Sequence, residues 1–434
     1  MKVAFHTLGC KVNQYETQAI REEFEKNGFF TVEENEFADV YVINTCTVTN
    51  LADRKSRQYI RRMKRLNPDS IMVATGCYVQ MSKDELINVG EIDLLIGNNL
   101  KSKIYEMTMD KLKEKDINRV TVLPYDELKD YEDLGMVNSI EGRTRAYIKI
   151  QEGCNRFCSY CIIPYARGKV RSRQIDEIKK EAEILINKGY KEIVLTGINT
   201  ALYGRDIDLN IEDAIRAVCS IDGDFRVRLS SLEPTVVTKE NINSLLKYDK
   251  LCHHLHLSLQ SGSNKVLKNM NRKYTREEYL DIVKMLRSFD ETYNITTDII
   301  VGFPGETEED FNDSLEIIEK AVFGKVHGFK FSKRKGTKAA LMNDVIDGKI
   351  KNDRIDRLLK LAEEKSEEFR RLNRDKITTV LFEEKTKEGL MAGFTDNYIK
   401  VYTDYNEELV GEFVRVKLLD IYLDGCLGEI VGKG

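Results

Sequence analysis

Three cysteines at C-x3-C-x2-C spacing constrain this chain more than any other feature of its sequence. Cys154, Cys158 and Cys161 lie in the segment RTRAYIKIQEGCNRFCSYCIIPYARGKVRSR, directly after a predicted strand and within an arginine-rich loop. Three thiolates can hold three irons of a four-iron, four-sulfur (4Fe-4S) cluster and leave the fourth iron open. Structural zinc prefers four ligands, and a ferredoxin run has C-x2-C-x2-C spacing with a remote fourth cysteine, so both fit less well.

Polar or glycine-rich patches follow the strands predicted after this loop. They read LTGIN, LSSLEP, LSLQSGS and IVGFPGET, and barrel enzymes place active sites at these C-terminal strand ends. An ordinary turn between a strand and a helix explains any single patch equally well. Together with the cysteine loop they favour one cofactor site. An open iron can chelate the amino and carboxylate groups of S-adenosylmethionine (SAM) and pass an electron to its sulfonium.

The cysteine loop and these strand ends resemble the radical-SAM superfamily. In that superfamily an aromatic residue precedes the third cysteine, and the strand ends hold SAM. The resemblance therefore implies that Cys154, Cys158 and Cys161 are the catalytic cluster ligands. It also implies SAM contacts at Tyr160, Thr196, Gly197, Ser230, Ser231, Glu233, Gln260, Gly302 and Pro304.

Three further cysteines each end a predicted strand near the N-terminus. Cys10, Cys46 and Cys77 follow KVAFHTL, DVYVINT and IMVATG, and helical patterns such as QYETQAIREEFEKNG come next. In open parallel sheets the carboxyl ends of the strands form one ligand-binding edge, so these cysteines can converge although they are distant in sequence. They are candidates for a second 4Fe-4S cluster with one open iron, and three unrelated buried thiols are the alternative.

The order of the predicted elements defines the fold class, which is α/β. Strand–helix alternation predicts a small parallel α/β (Rossmann-like) domain at residues 1–115, followed by a charge-rich linker at 116–142. The alternation then restarts and predicts an open (β/α)6 barrel at 143–375. The last segment, 376–434, has short strands separated by turns and predicts a small antiparallel, OB-like barrel of five strands.

Charge and cysteine content limit the classes of function. The net charge is −4, so any nucleic acid must be held by a local basic patch rather than by the whole surface. We find no signal peptide and no apolar run long enough to cross a membrane, so we expect a cytoplasmic protein without a membrane partner. In that reducing compartment, nine cysteines are more often metal ligands or catalytic groups than disulfides.

Arginines form two candidate basic patches. On a helix covering RKSRQYIRRMKR, one face carries arginines while Ile60 and Met63 can pack inward; a second basic zone flanks the central cysteine loop. The predicted RNA contacts are Arg54, Arg57, Arg61, Arg65, Arg143, Arg145, Arg171 and Arg173. A solvated charged face explains such a pattern equally well. The segment 376–434 has seven Lys or Arg against eleven Asp or Glu, which argues against RNA binding by that barrel.

Taken over its whole length, the chain resembles the methylthiotransferase family, in which an N-terminal three-cysteine domain, a radical-SAM barrel and a C-terminal TRAM domain are joined. All six motif cysteines match. The resemblance implies an enzyme with two 4Fe-4S clusters, in which the cluster of Cys10, Cys46 and Cys77 carries or supplies sulfur. One SAM would donate a methyl group, and another would be cleaved to a radical that abstracts hydrogen from a C–H bond. A low-potential electron donor of the flavodoxin or ferredoxin type and a sulfur donor are expected partners.

The residues after the first cysteine indicate a branch of that family. Lys11, Val12 and Asn13, in HTLGCKVNQYET, resemble the branch that methylthiolates C2 of N6-threonylcarbamoyladenosine next to the anticodon of tRNA. The isopentenyladenosine tRNA branch and the branch acting on an aspartate of a ribosomal protein stay as alternatives, and the acidic C-terminal segment, which suits a basic protein partner, keeps the latter open. A non-catalytic iron–sulfur or RNA-binding protein is the alternative from another class, but it would need neither an open iron nor a barrel shaped for SAM.

Overall fold

The computed structural model describes residues 1–138 and 144–433, and an α/β domain comes first. Its parallel strands are β1 (Lys2–Thr7), β2 (Phe30–Val32), β3 (Val40–Thr45), β4 (Ile71–Gly76), β5 (Leu94–Ile96) and β6 (Val120–Thr121). They lie in the order β2-β1-β3-β4-β5-β6, which confirms the predicted parallel α/β unit. Strand β6 lies within 116–142, the segment predicted as a linker, and pairs with β5, so that segment contributes an edge strand to the sheet.

Helices cover both faces of this sheet. They are α1 (Lys11–Lys26), α2 (Asn50–Leu66), α3 (Cys77–Ile87) and α4 (Ile104–Leu112). Helix α1 has two apolar stripes with four-residue spacing, the distance at which side chains share a helix face. Ile20 and Phe24 pack on the sheet, whereas Tyr15 and Ala19 join the core of the next domain. Helix α1 therefore joins the two hydrophobic cores.

The central domain is an open barrel of parallel strands. Its strands are β7 (Arg145–Glu152), β8 (Arg171–Ser172), β9 (Glu192–Gly197), β10 (Arg226–Leu229), β11 (His254–His256), β12 (Asn294–Val301) and β13 (Lys325–Lys330). One sheet has the order β10-β9-β7-β8 and another β11-β12-β13. Bridges from Val227 to Leu251 and from Leu232 to Leu257 connect them. Apart from the short antiparallel β8, this is the predicted (β/α)6 arrangement.

Helices surround the outside of this barrel. They are α5 (Ile163–Arg167), α6 (Ile175–Asn187), α7 (Ile211–Cys219), α8 (Lys239–Leu245), α9 (Asn264–Asn269), α10 (Arg276–Phe289), α11 (Glu308–Ala321) and α12 (Gly348–Leu372). Reciprocal hydrogen bonds between the N-cap residue and the third helical residue fix where several of these helices begin. In α10, for example, the Thr275 side chain accepts from the backbone N–H of Glu278, whose carboxylate accepts from the Thr275 N–H. In the part of the chain described, no helix is both long and apolar enough to cross a membrane.

The chain ends in a small closed barrel. Its strands are β14 (Ile377–Lys385), β15 (Leu390–Thr395), β16 (Lys400–Asp404), β17 (Phe413–Tyr422) and β18 (Gly425–Lys433). They close in the order β14-β15-β16-β18-β17, and all pairs are antiparallel except β16 with β18, which confirms the predicted barrel. Phe369 of α12 belongs to its core, so the last helix of the central domain anchors it.

A turn of the C-terminal barrel covers the N-terminal ends of the central strands. Arg228 on β10 donates to the backbone oxygen of Asp396 at 2.9 Å, and the Tyr398 ring stacks on His254 with centroids 4.6 Å apart. This contact closes the end of the barrel opposite the C-terminal strand ends. The latter end is left for the α/β domain and for ligands.

A substitution at Gly76, which precedes Cys77, tests how tightly the backbone holds that cysteine in place. Its φ is +98°, and a Cβ there would lie 2.4 Å from the Thr45 backbone oxygen. Gly28 also has positive φ, +86°, but open space around it. We expect Gly28→Ala to cost about 1–2 kcal/mol for its backbone conformation and Gly76→Ala about 1–3 kcal/mol more for the clash. Thermal unfolding of the two variants checks this, and equal midpoints would contradict it.

Candidate active site

A cavity of about 510 Å³ lies between the α/β domain and the C-terminal strand ends of the central barrel. The α/β domain contributes residues around the start of α1, and the barrel contributes the cysteine loop and strand ends. Predicted site residues that line it are Cys10, Cys154, Cys158, Cys161, Tyr160, Thr196, Gly197, Ser230, Ser231, Glu233 and Gln260. Members of both cysteine trios therefore face one space.

The central cysteine loop is held by its own backbone. The Cys154 N–H donates to the Gly168 oxygen at 3.0 Å, and the Cys161 N–H to the Cys158 oxygen at 3.0 Å. Burial and, to a lesser extent, the neighbouring Cys158 raise the pKa of the Cys161 thiol to about 12. Clustered, desolvated thiols of this kind favour a metal centre, since iron stabilises the thiolates and binding releases their protons.

The three N-terminal cysteines also converge. A Cβ on Gly9, the residue before Cys10, would lie 3.2 Å from the Cys46 sulfur. Burial raises the pKa of Cys46 to about 12, and the charges of Cys77 and Cys10 act in the same direction. Cys10 immediately precedes α1 and Cys77 begins α3, and the positive end of each helix dipole favours a thiolate.

The spacing of the ligands bears on the kind of metal centre. Within residues 1–138 and 144–433, no group of three or more His, Cys, Asp and Glu side chains is arranged to hold one metal ion. Thiolates around a 4Fe-4S cluster bind different irons and therefore stand farther apart than the ligands of one ion. A trio of thiolates matches a 4Fe-4S cluster with one open iron, whereas structural zinc takes four ligands.

Arg167, at the end of α5, connects the central cysteine loop to the N-terminal trio. Its side chain is fully buried, and its Nε donates to the Cys77 sulfur at 3.2 Å. Its Nη1 lies 2.7 Å from Glu152 on β7 and also pairs with Glu16 on α1, while its Nη2 donates to Asn13. One guanidinium thus contacts both domains and one predicted cluster ligand.

More buried cations surround the same two carboxylates. Lys101 lies 2.9 Å from Glu16, Lys149 lies 3.2 Å from Glu152, and Arg171 lies 3.6 Å from Glu152. Burial alone would raise the pKa of Glu16, but Arg167, Lys101 and Lys149 hold it at about 2. We call Arg167, Lys101, Lys149, Arg171, Glu16 and Glu152 the interdomain ionic network. Its surplus of cations favours the negative charge of a thiolate-bound cluster beside it.

Two of the predicted RNA contacts, Arg171 and Arg173, lie in the protein interior. Arg171 and Arg173 are each 2% exposed. Arg171 donates to the backbone oxygen of Leu128 at 2.7 Å, and Arg173 is ion paired with Glu181. Neither can contact RNA, because both belong to the interior.

Arg145 has a structural role as well. Its Nε lies 2.6 Å from Glu383 of the C-terminal barrel, and its guanidinium lies 4.9 Å from the centroid of the Phe394 ring. The guanidinium of Arg145 is therefore used in docking the C-terminal barrel, which argues against the predicted RNA contact. Arg143 lies outside the described residues.

The arginines of α2 remain candidates. Arg54, Arg61 and Arg65 are exposed, whereas Arg57 is ion paired with Glu85 at 2.7 Å. Ile60 and Met63, predicted to face inward, are buried. RNA binding by this face stays a prediction.

Two predicted SAM contacts do not line the cavity. Gly302 has a φ of +71°, and a Cβ there would lie 2.4 Å from the side chain of Lys351 on α12. Its N–H donates to the Glu306 carboxylate at 3.0 Å. Gly302 and the buried Pro304 therefore shape the turn after β12 instead of facing the cavity.

Other cavity residues lacked a recognisable sequence signal. Arg272 donates to the Cys158 sulfur at 3.4 Å, and Asn199 donates to Glu233 at 3.1 Å. Arg156, inside the cysteine loop, lies 2.5 Å from the same carboxylate. Because Asn199 follows Thr196 closely in the sequence, it could have been predicted as a site residue. Arg272 is distant from Cys158 in sequence, and only the fold brings the two together.

Unpartnered polar atoms test whether SAM fits here. The Asn199 Oδ1 and the Ser230 Oγ are buried without a hydrogen-bond partner in the described residues. Buried polar atoms are normally satisfied, and SAM carries an amino group and ribose hydroxyls as donors. These residues therefore fit SAM bound between the cysteine loop and the strand ends.

Three family models match successive parts of the chain. They are "Uncharacterized protein family UPF0004" over residues 2–97, the Radical SAM superfamily over 148–318 and the TRAM domain over 371–431. Among solved structures, the radical SAM methyltransferase TsrM from Kitasatospora setae, with cobalamin and a [4Fe-4S] cluster bound, is similar with a TM-score of 0.61. It is 14% identical and covers 78% of this chain and 77% of that chain, a likeness of fold alone.

Curated relatives are similar over nearly the whole chain. The threonylcarbamoyladenosine tRNA methylthiotransferase MtaB of Bacillus subtilis is 44% identical, covering 96% of this chain and 93% of the relative. MtaB of Aquifex aeolicus is 40% identical, covering 96% and 100%. The tRNA-2-methylthio-N(6)-dimethylallyladenosine synthase of Alkaliphilus oremlandii is 35% identical, covering 99% and 93%.

Replacing Arg167 tests the interdomain ionic network. Arg167→Met leaves Glu16 and Glu152 with one partner fewer in a buried setting, which typically costs about 3–5 kcal/mol. We expect a clear drop in the thermal unfolding midpoint of the anaerobic protein. The control is Arg371→Met, which removes an exposed pair with Glu367 worth at most about 1 kcal/mol. Equal midpoints for the two variants would show that the network does not stabilise the domains.

Proposed function

This chain belongs to the methylthiotransferase family of radical-SAM enzymes, and we propose that it methylthiolates C2 of N6-threonylcarbamoyladenosine next to the anticodon of tRNA. The main support is the near full-length similarity, 38–44% identity, to relatives named for that reaction. The cavity agrees with it, because Cys10 of the N-terminal trio and all three cysteines of the central trio line its walls. A cofactor that makes a radical and a cluster that supplies sulfur would thus meet at one substrate.

The residues of the cavity have distinct roles in this proposal. Cys154, Cys158 and Cys161 would hold one 4Fe-4S cluster with SAM on its open iron, and Asn199 and Ser230 would accept hydrogen bonds from SAM. When bound, the clusters and SAM supply the electron, the hydrogen-abstracting radical, and the sulfur and methyl groups. The protein holds the reacting groups in fixed orientation and, by enclosing them between two domains, limits the access of water.

Cys10, Cys46 and Cys77 would hold the second cluster. The Arg167 Nε donates to the Cys77 sulfur, and a hydrogen bond of this kind stabilises the negative charge on a cluster thiolate. In this arrangement the protein sets the electron density of the sulfur-bearing cluster through one buried guanidinium.

A basic surface beside the cavity supports RNA binding. Arg334 lies 2.7 Å from Asp53, which joins the segment after β13 to α2. Lys333 and Lys335 flank Arg334 and are exposed, and Arg54 next to Asp53 is exposed as well. Phosphate groups of RNA are attracted to such clusters of cations. We propose that the tRNA backbone lies here, whereas the acidic C-terminal barrel is attached through Arg145 and Arg228 to the central domain.

Further partners follow from the chemistry. Reductive cleavage of SAM needs a low-potential electron donor, which we propose to be of the flavodoxin or ferredoxin type, and repeated turnover needs a sulfur donor. We propose a cytoplasmic location, because free thiols and low-potential clusters persist in a reducing compartment.

Mass spectrometry of tRNA nucleosides tests the substrate. In a strain lacking the gene, 2-methylthio-N6-threonylcarbamoyladenosine should disappear and N6-threonylcarbamoyladenosine should accumulate, and the wild-type gene should reverse both changes. Persistence of the methylthiolated nucleoside without another enzyme for it would reject the tRNA assignment. Loss of a modified aspartate in a ribosomal protein, or of a methylthiolated isopentenyladenosine, would then indicate the alternative branches.

Cysteine variants test the division of labour between the two trios. Cys158→Ala should abolish 5′-deoxyadenosine formation from SAM and dithionite, because the SAM-binding cluster loses a ligand. Cys46→Ala should retain some SAM cleavage but give no methylthiolated RNA. Cys219→Ala, outside both trios, is the control and should retain both activities. Normal methylthiolation by the Cys46 variant would remove the sulfur role of the first domain.

A further inference from the structure

Three cations line the cavity, and two of them have partners. Arg156 is ion paired with Glu233 and also donates to Thr235 at 2.8 Å. Arg272 donates to Cys158, to the Tyr274 hydroxyl at 2.9 Å and to the Ser258 oxygen at 3.1 Å. Both guanidinium groups are therefore committed to holding the cysteine loop and the strand ends. The third cation is Lys11.

Lys11 differs from them in having no hydrogen bond or ion pair to any residue that the structure describes. It is the first residue of α1, next to Cys10, and its ammonium lies 6.0 Å from the centroid of the Tyr147 ring on β7. Its neighbour Asn13 is fully engaged, because it donates to the Leu8 oxygen at 2.7 Å and accepts from Arg167. Among the residues described, Lys11 thus lies in the cavity wall with the Tyr147 ring beside its ammonium and no hydrogen-bonded or ion-paired partner.

The charges that face Lys11 do not neutralise it. The ionisable groups that act on Lys11 are Tyr398, Arg145, Arg228 and Glu192, and Glu192 accepts from Arg228 at 2.7 Å and also pairs with Arg226 at 2.6 Å. The Glu192 carboxylate is therefore already used by guanidinium groups. A surplus of positive charge in an enclosed cavity favours an anionic ligand.

The N6-threonylcarbamoyl group of the proposed substrate carries a carboxylate, which is an anion of this kind. Resting on the proposed function, we propose that Lys11 binds the carboxylate of the N6-threonylcarbamoyl group and so selects this nucleoside over adenosines with an uncharged N6 substituent. A lysine ammonium donates up to three hydrogen bonds to such a group. SAM also has a carboxylate, but it belongs on the open iron at the cysteine loop. An experiment that changes only the carboxylate of the RNA distinguishes binding of that group from binding of the SAM carboxylate.

The test compares two anticodon stem–loop RNAs that differ in one group. One carries N6-threonylcarbamoyladenosine, and the other carries its methyl ester, which lacks the negative charge. Binding to the reconstituted enzyme with saturating SAM is measured by fluorescence anisotropy. The wild type should bind the acid about tenfold or more tightly than the ester, as expected for a hydrogen bond to a charged group. Lys11→Met should bind both alike, and Lys11→Arg should regain part of the preference.

Lys26→Met is the matched control. Lys26 is at the other end of α1, with a side chain that is 78% exposed, and its loss should leave the preference for the acid unchanged. Equal binding of acid and ester by the wild type, or a preference that survives in Lys11→Met, would overturn the role of Lys11. If the wild type methylthiolates the acid RNA while showing such equal binding, the proposed function stands and only this inference falls. Absence of product from the acid RNA would remove both.

Discussion

Burial of the Arg167 guanidinium between the two large domains is the interaction on which the site depends. Charged groups in a protein interior are costly unless they are paired; Arg167 is paired with Glu152 of its own domain and, across the domain boundary, contacts Glu16 of α1 and Cys77. The contacts of Arg167 with Glu16 and Cys77 fix how the α/β domain sits on the barrel. It also places a positive charge against one predicted ligand of the N-terminal cluster.

This constraint turns two separate cysteine motifs into one active site. Each trio lies at the C-terminal ends of parallel strands, where open α/β sheets and barrels bind ligands. Helix α1 serves both domains, since Cys10 precedes it, Glu16 lies within it, and Tyr15 packs in the core of the barrel. The substrate carbon, the SAM cofactor and the sulfur source can therefore meet in a cavity of about 510 Å³.

Local patterns predicted the fold and the cavity walls, but not the contacts that join the domains. Cysteine spacing and strand–helix alternation are read from neighbouring residues, and they predicted the N-terminal cysteines at strand ends of the α/β domain and most of the strand-end patches that line the cavity. Arg167 and its partners are separated by 151 residues for Glu16 and by 90 for Cys77, so no local pattern links them. Arg171 and Arg173 were predicted as RNA contacts because the charge pattern does not show burial: Arg173 is buried against Glu181, only eight residues away, and Arg171 lies beside Glu152 of β7.

The iron content of the anaerobically reconstituted protein tests most directly whether two open clusters share this cavity. Two 4Fe-4S clusters correspond to about eight irons and eight acid-labile sulfides per chain, with removal of one cysteine from either trio leaving about four. A wild-type protein that saturates at about four irons, or that takes up zinc in place of iron, would contradict the account.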